Sequence, residues 1–134
     1  MGATAQRAAL VLGIGLAFAG CGATDSGGAT DAARRVYEGY SRDDGAAACA
    51  TLSDDAREQL EQDERKPCAE AVLELKLSGT RATAEEAYVT EAKVDLDAGD
   101  SVFLEETGDG WRVSAAGCPP SPGRESPYDC GVES

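Results

Sequence analysis

Histidine is missing from this 134-residue sequence. That excludes a Ser-His or Cys-His nucleophile, because each needs an imidazole base beside the attacking group. It also removes the commonest nitrogen ligand of zinc, and no Cys-x-x-Cys pair stands in for it. No metal or cofactor is therefore expected. Positive charge is scarce: 12 Lys+Arg face 25 Asp+Glu, for a net charge of −13. Nucleic acid, which is bound through basic patches, is excluded as a partner. Docking of the protein surface on anionic lipid is disfavoured for the same reason. The acidity confers solubility and names no substrate. Long apolar runs are also lacking. The uncharged, mostly apolar run Ala8 to Gly20 holds three glycines. It is shorter than the roughly 20 apolar residues that a membrane-spanning helix needs.

That stretch has another use. Met1 to Arg7 is short and polar with one basic side chain, Ala8 to Gly20 is uncharged, and small residues precede Cys21. This is the layout of a secretory signal, here residues 1–20. Phe18-Ala19-Gly20-Cys21 resembles the lipobox of bacterial lipoproteins, with Phe18 where leucine is usual. The resemblance implies that the Cys21 thiol takes a diacylglyceryl group and becomes the new N-terminus. Two acyl chains supply the two signals that stable anchoring requires. The expected location is the extracytoplasmic face of the cell membrane, with the lipid on Cys21 as the membrane contact. Residues 21–30, the lipidated cysteine and a run of small polar residues, read as a flexible tether. Loss of Arg7 with the leader takes the remaining chain to −14, because the first twenty residues hold no Asp or Glu.

Five cysteines then divide as one and four. With Cys21 lipidated, Cys49, Cys68, Cys118 and Cys130 remain, and four cysteines allow three pairings. Export to a compartment where disulfides persist favours bridges. Cys49–Cys68 and Cys118–Cys130 are the preferred pairs, each close in sequence and within one local unit.

The remainder, residues 31–134, suffices for a single core. Thr30 or Asp31 can cap a first helix in which Ala33, Val36, Tyr37 and Tyr40 share a face, although Gly39 weakens it. A short helix over Ala46–Leu52 carries Cys49. Ser53 caps a third helix, Asp54 to Glu64, whose acidic start suits the helix dipole. Pro67 opens a fourth, running to about Leu77. After Ser78-Gly79 the period changes to two. Ala92, Val94 and Leu96 alternate with charged residues, Ser101–Glu106 and Trp111–Ala115 follow as strands, and Ala87–Thr90 is a candidate strand leading in. Gly117–Ser134, rich in Pro and Gly, reads as an irregular tail folded back by a disulfide. Helices first and an antiparallel meander afterwards predict an α+β fold, N-terminal helices packed on a curved antiparallel sheet.

The stretch GWRVSAAGC (Gly110–Cys118) and the later Tyr128-Asp129-Cys130, together with the helix order, resemble small actinobacterial lipoproteins of uncharacterised function. The resemblance covers roughly Asp31 to Cys130. It implies an NTF2-like cone, in which helices pack into a strongly bent sheet. It implies a fold and a location but no reaction.

Cones of that kind often hold a pocket, and Tyr37, Tyr40, Tyr88 and Trp111 are candidates to line one; otherwise they are core. Asp95-x-Asp97-x-x-Asp100 lacks the spacing of a calcium loop and reads as a solvated hairpin. Gly108-Asp109-Gly110 is a turn between strands. Two functions follow. The first is a non-catalytic accessory module that meets a small ligand or a protein partner at the cell surface. The second is a small pocket enzyme, an isomerase or hydrolase, which a buried Asp facing an apolar cavity would favour. The absence of a visible acid–base pair favours the first.

Overall fold

The computed structural model describes residues 26–123 and 125–134. The signal segment, Cys21 and the first part of the tether lie outside the described residues. The order is α1 (Ser26–Ser41), α2 (Gly45–Cys49), α3 (Asp54–Glu64) and α4 (Cys68–Glu74), then β1 (Ala82–Ala87), β2 (Glu91–Leu96), β3 (Ser101–Thr107), β4 (Gly110–Cys118) and β5 (Val132–Glu133). The strands form one open antiparallel sheet in sequence order, β1-β2-β3-β4-β5. The N-terminal helices pack against it, so the fold is α+β. Among the described residues no helix is long and apolar enough to cross a membrane.

α1 begins five residues before the expected cap, so Ser26 to Thr30 belong to the helix rather than to the tether. Ser and Gly are poor helix formers, and the gain comes from packing. Ala29, Ala32, Ala33, Val36 and Tyr37 are all buried, which is the i, i+3, i+4, i+7, i+8 stripe of a core-facing helix. Thr30 is also pinned, its N–H and hydroxyl both donating to the Glu85 carboxylate on β1.

The short helices are held by caps and by one close approach. The Asp44 carboxylate accepts from the Ala47 N–H at 3.0 Å and starts α2. Ser53 Oγ accepts from the Ala56 N–H at 3.2 Å and starts α3, as its sequence indicates. Gly45 lies hard against α4, where an added Cβ would stand 1.7 Å from the Ala69 carbonyl oxygen. Gly39 likewise admits the backbone of Ala48. This close approach outweighs the helix propensity that Gly39 gives up. The Cys49–Cys68 bridge clamps the same pair, α2 to α4. α4 stops at Glu74 instead of reaching Leu77. Leu75 is already extended, and Leu75 and Leu77 bury their side chains from a non-helical segment.

The sheet is a meander. In β2 Ala92, Val94 and Leu96 face the core as their alternation predicts. β1 lies over Ala82–Ala87, mostly upstream of the expected Ala87–Thr90; Ala87 is its last residue, and Tyr88–Thr90 form the turn into β2. β1 is an edge strand whose side chains are all exposed or half-buried, so it carries no apolar alternation to read. Register shifts interrupt the pairing of β1 with β2 and of β3 with β4. Such bulges bend a strand and increase its twist.

The C-terminal tail is not wholly irregular. Val132 and Glu133 pair with Ala116 and Ala115 as β5, and Cys118–Cys130 closes the loop between the two strands. The first half of the same β4 edge is covered by the linker after α2. There Val113 donates to the Thr51 carbonyl at 2.9 Å, and Ser53 donates to the Val113 carbonyl at 2.8 Å. Val36, Tyr37, Val72, Val94, Val102, Leu104 and Val113 form the centre of the core.

The contact at Gly45 yields a direct test. Gly45→Ala drives a methyl group into the Ala69 carbonyl, so the helices must part. The expected loss is about 3 kcal/mol or more in urea unfolding, well beyond an ordinary helix-surface change.

Candidate functional site

The sequence-nominated aromatic residues do not meet in one pocket. Tyr40 donates its hydroxyl to the Leu75 carbonyl at 2.7 Å and braces the extended segment after α4. Tyr88 is 67% exposed on the β1–β2 turn. Tyr37 is buried between α1 and the sheet. Only Trp111 lines an open cavity. Spacing along α1 places Tyr37 and Tyr40 on one face, yet it does not say that both hydroxyls end on protein partners.

Tyr37 sits at a polar junction inside the core. Its hydroxyl donates to Asp100 Oδ2 at 3.3 Å and accepts from the Gly117 N–H at 2.9 Å. Asp100 Oδ2 also accepts from the Ser78 N–H at 2.8 Å. Asp100 is 5% exposed, so it is not the solvated hairpin residue that the sequence pattern suggests. Its two neighbours in that pattern are likewise committed. The Asp97 carboxylate accepts from the N–H groups of Thr80 and Arg81, which hold it below the usual carboxylate range. Asp95 accepts from the Ser101 hydroxyl at 2.6 Å. The three carboxylates fasten the β2–β3 turn and the segment leading into β1. The buried Asp faces a tyrosine and a backbone amide rather than an apolar cavity.

An open groove of ≈ 660 Å³ lies between α1, α2 and the β3–β4 turn. One wall is a stripe along α1 and the turn that follows it: Asp31, Arg35 and Glu38 on the helix and Arg42 just past its end, spaced by three or four residues. Asp44 and Ala47 continue it along α2, and Asp109, Trp111 and Arg112 close the far side. The half-buried indole of Trp111 is the groove's aromatic surface. Arg42 pairs with Glu38 at 3.7 Å, and Arg112 donates to the Ala50 carbonyl at 2.7 Å. Among the described residues no ion pair or hydrogen bond engages Arg35, which is exposed at the groove. A guanidinium lining the same groove as an indole can hydrogen-bond, pair with an anion or stack, which are acts of recognition. The sequence carries no signal for this groove, because its lining comes from three segments with no shared period. Among the described residues no cluster of Cys, Asp and Glu is placed to hold a metal ion.

The Tyr37 junction generates a stability prediction. Burial is the main reason that the phenol keeps its proton well above the ordinary tyrosine range. The Gly117 N–H opposes this, and the nearby Asp100 charge adds to it. An unfolded tyrosine ionises near pH 10, whereas the folded one does not. The unfolded state therefore binds fewer protons above that pH, and stability falls as pH rises, by up to about 1.4 kcal/mol per unit. Tyr37→Phe removes this alkaline loss. At neutral pH it costs about 1–3 kcal/mol, because Asp100 and Gly117 lose a buried partner. Chemical unfolding of both proteins from pH 7 to 11 measures both effects. Comparison with known proteins finds no family model, curated protein or solved structure that matches this chain.

Proposed function

We propose that this protein is an extracytoplasmic lipoprotein, held to the cell membrane by a diacylglyceryl group on Cys21. In this reading the domain is a non-catalytic accessory module that meets a small ligand or a protein partner through the Trp111 groove. One observation carries the anchoring. Cys49 pairs with Cys68 and Cys118 pairs with Cys130, which leaves Cys21 as the cysteine without a partner in its own chain. That cysteine stands where the lipobox resemblance requires it. Both bridges also suit an oxidising compartment.

The resemblance to small actinobacterial lipoproteins with an NTF2-like cone belongs to the same proposal. Helices first, a meander after them and bulges that bend the strands all support it. The binding reading over the enzymatic one is supported by Asp100. The buried carboxylate that an acid–base mechanism would use is already engaged with Tyr37 and Ser78.

Expression of the full chain in a lipoprotein-processing host tests the anchor. The wild type is expected in the membrane fraction, with an intact mass corresponding to a chain that begins at a diacylglyceryl Cys21 and carries two disulfides. Cys21→Ser is expected to leave the membrane fraction while keeping both bridges. A wild-type product without lipid, or one beginning at another residue, refutes the anchor. Four free thiols refute the pairing.

A further inference from the structure

Tyr88 and Val89 are the large hydrophobic side chains that the described fold leaves exposed, at 67% and 82%. They occupy the turn between β1 and β2, which the Tyr88 N–H closes by donating to the Glu91 carbonyl at 2.7 Å. Nothing in the fold needs apolar groups there.

Contacts along α1 fix the end of the molecule on which this turn lies. Thr30, near the start of α1, holds Glu85, late in β1. Tyr37, two turns further on, reaches Asp100 at the opposite end of the sheet. α1 therefore runs antiparallel to β1, and its N-terminus leaves the domain at the end that carries the β1–β2 turn. From Thr30 back to Ser26 is about 6 Å of helix. From Glu85 on to Tyr88 is about 10 Å of strand. Cys21 precedes Ser26 by five residues, at most about 17 Å of extended chain.

We infer that the Tyr88–Val89 turn is a second membrane contact, entering the headgroup interface beside the lipid on Cys21. This rests on the anchoring reading above. An amphipathic tyrosine is suited to the interface, with its ring toward the acyl boundary and its hydroxyl toward water. The surface it meets is zwitterionic rather than anionic. Exposed Glu86, Glu91, Glu106 and Asp109 stand at the same end behind the tip, and anionic headgroups repel them. Two acyl chains already hold the protein, so the turn orients it. Gly28, Asp31 and Asp109 place one mouth of the Trp111 groove at this end, and the contact turns that mouth toward the bilayer.

The test uses full-length lipidated protein reconstituted into phosphatidylcholine vesicles, with plain or brominated acyl chains. In a Trp111→Phe background, a single indole is introduced by Tyr88→Trp, by Val89→Trp or, as a control, by Ala98→Trp. Ala98 is exposed on the β2–β3 turn, roughly 20 Å away at the far end of the sheet. Bromine is expected to quench the first two indoles about twofold and to leave the third unchanged. Adding phosphatidylglycerol is expected to reduce that quenching at low salt, and high salt is expected to restore it. Wild-type protein that floats with vesicles while all three indoles escape quenching overturns the contact and leaves the anchor standing. Protein that lacks the lipid by intact mass and does not float overturns both. An indole at position 88 that is shielded from water but unquenched, with shielding that grows with protein density, assigns the turn to a second copy and also overturns the inference.

Discussion

A single hydroxyl joins the two halves of this fold. Tyr37 projects from the helical layer and ends between the Asp100 carboxylate and the Gly117 amide, while Asp100 also holds the amide of Ser78. α1, the segment before β1, the β2–β3 turn and the end of β4 thus share one buried junction. The core around it is made mostly of Ala, Val and Leu. Such side chains fill space but set no register by direction, because hydrophobic burial is non-directional. The junction supplies the direction. The Tyr37 hydroxyl, the Asp100 carboxylate and the Gly117 amide are buried and partnered, so a shift of the helix along the sheet would strand at least one of them at full desolvation cost.

The sequence made the alternating strand and the capped helix legible. Ala92, Val94 and Leu96 alternate because β2 is central and one of its faces is buried. Ser53 marks a helix start because its hydroxyl meets an amide three residues on, a wholly local event. The misreadings occur where the deciding partner is distant in sequence. β1 is an edge strand with no buried stripe. The early part of α1 is packed on the core and pinned at Thr30 by Glu85, 55 residues away. β5 forms because a disulfide returns the chain to β4. Asp100 looks like hairpin punctuation until Tyr37 is placed over it. The groove beside Trp111 was invisible for the same reason, being assembled from α1, α2 and a turn more than 50 residues later.

The glycines at 39 and 45 and the disulfide at Cys49 act on one small unit. α2 is five residues long, far below the length at which a helix is stable alone. It persists because it is pressed between α1 and α4 at backbone distance and is cross-linked to α4. The groove wall that α2 provides is therefore rigid by constraint rather than by propensity. A surface that recognises a ligand with few polar groups benefits from such preorganisation, since less ordering remains to be done on binding.

The covering of β4 has a consequence for when the chain can finish folding. The outer edge of that strand is sealed in two pieces, by residues 51–53 and by β5. An unsealed edge offers its amides and carbonyls to any other extended chain. The second seal is only two residues long, and the Cys118–Cys130 link holds it in place. Before oxidation, β5 is kept on β4 by the buried side chain of Val132 and a few backbone hydrogen bonds alone. Completion of the sheet is thus coupled to thiol chemistry, because the bridge adds a covalent hold to a strand of two residues. The tail serves as a latch on the vulnerable side of the sheet, closed when the bridge forms.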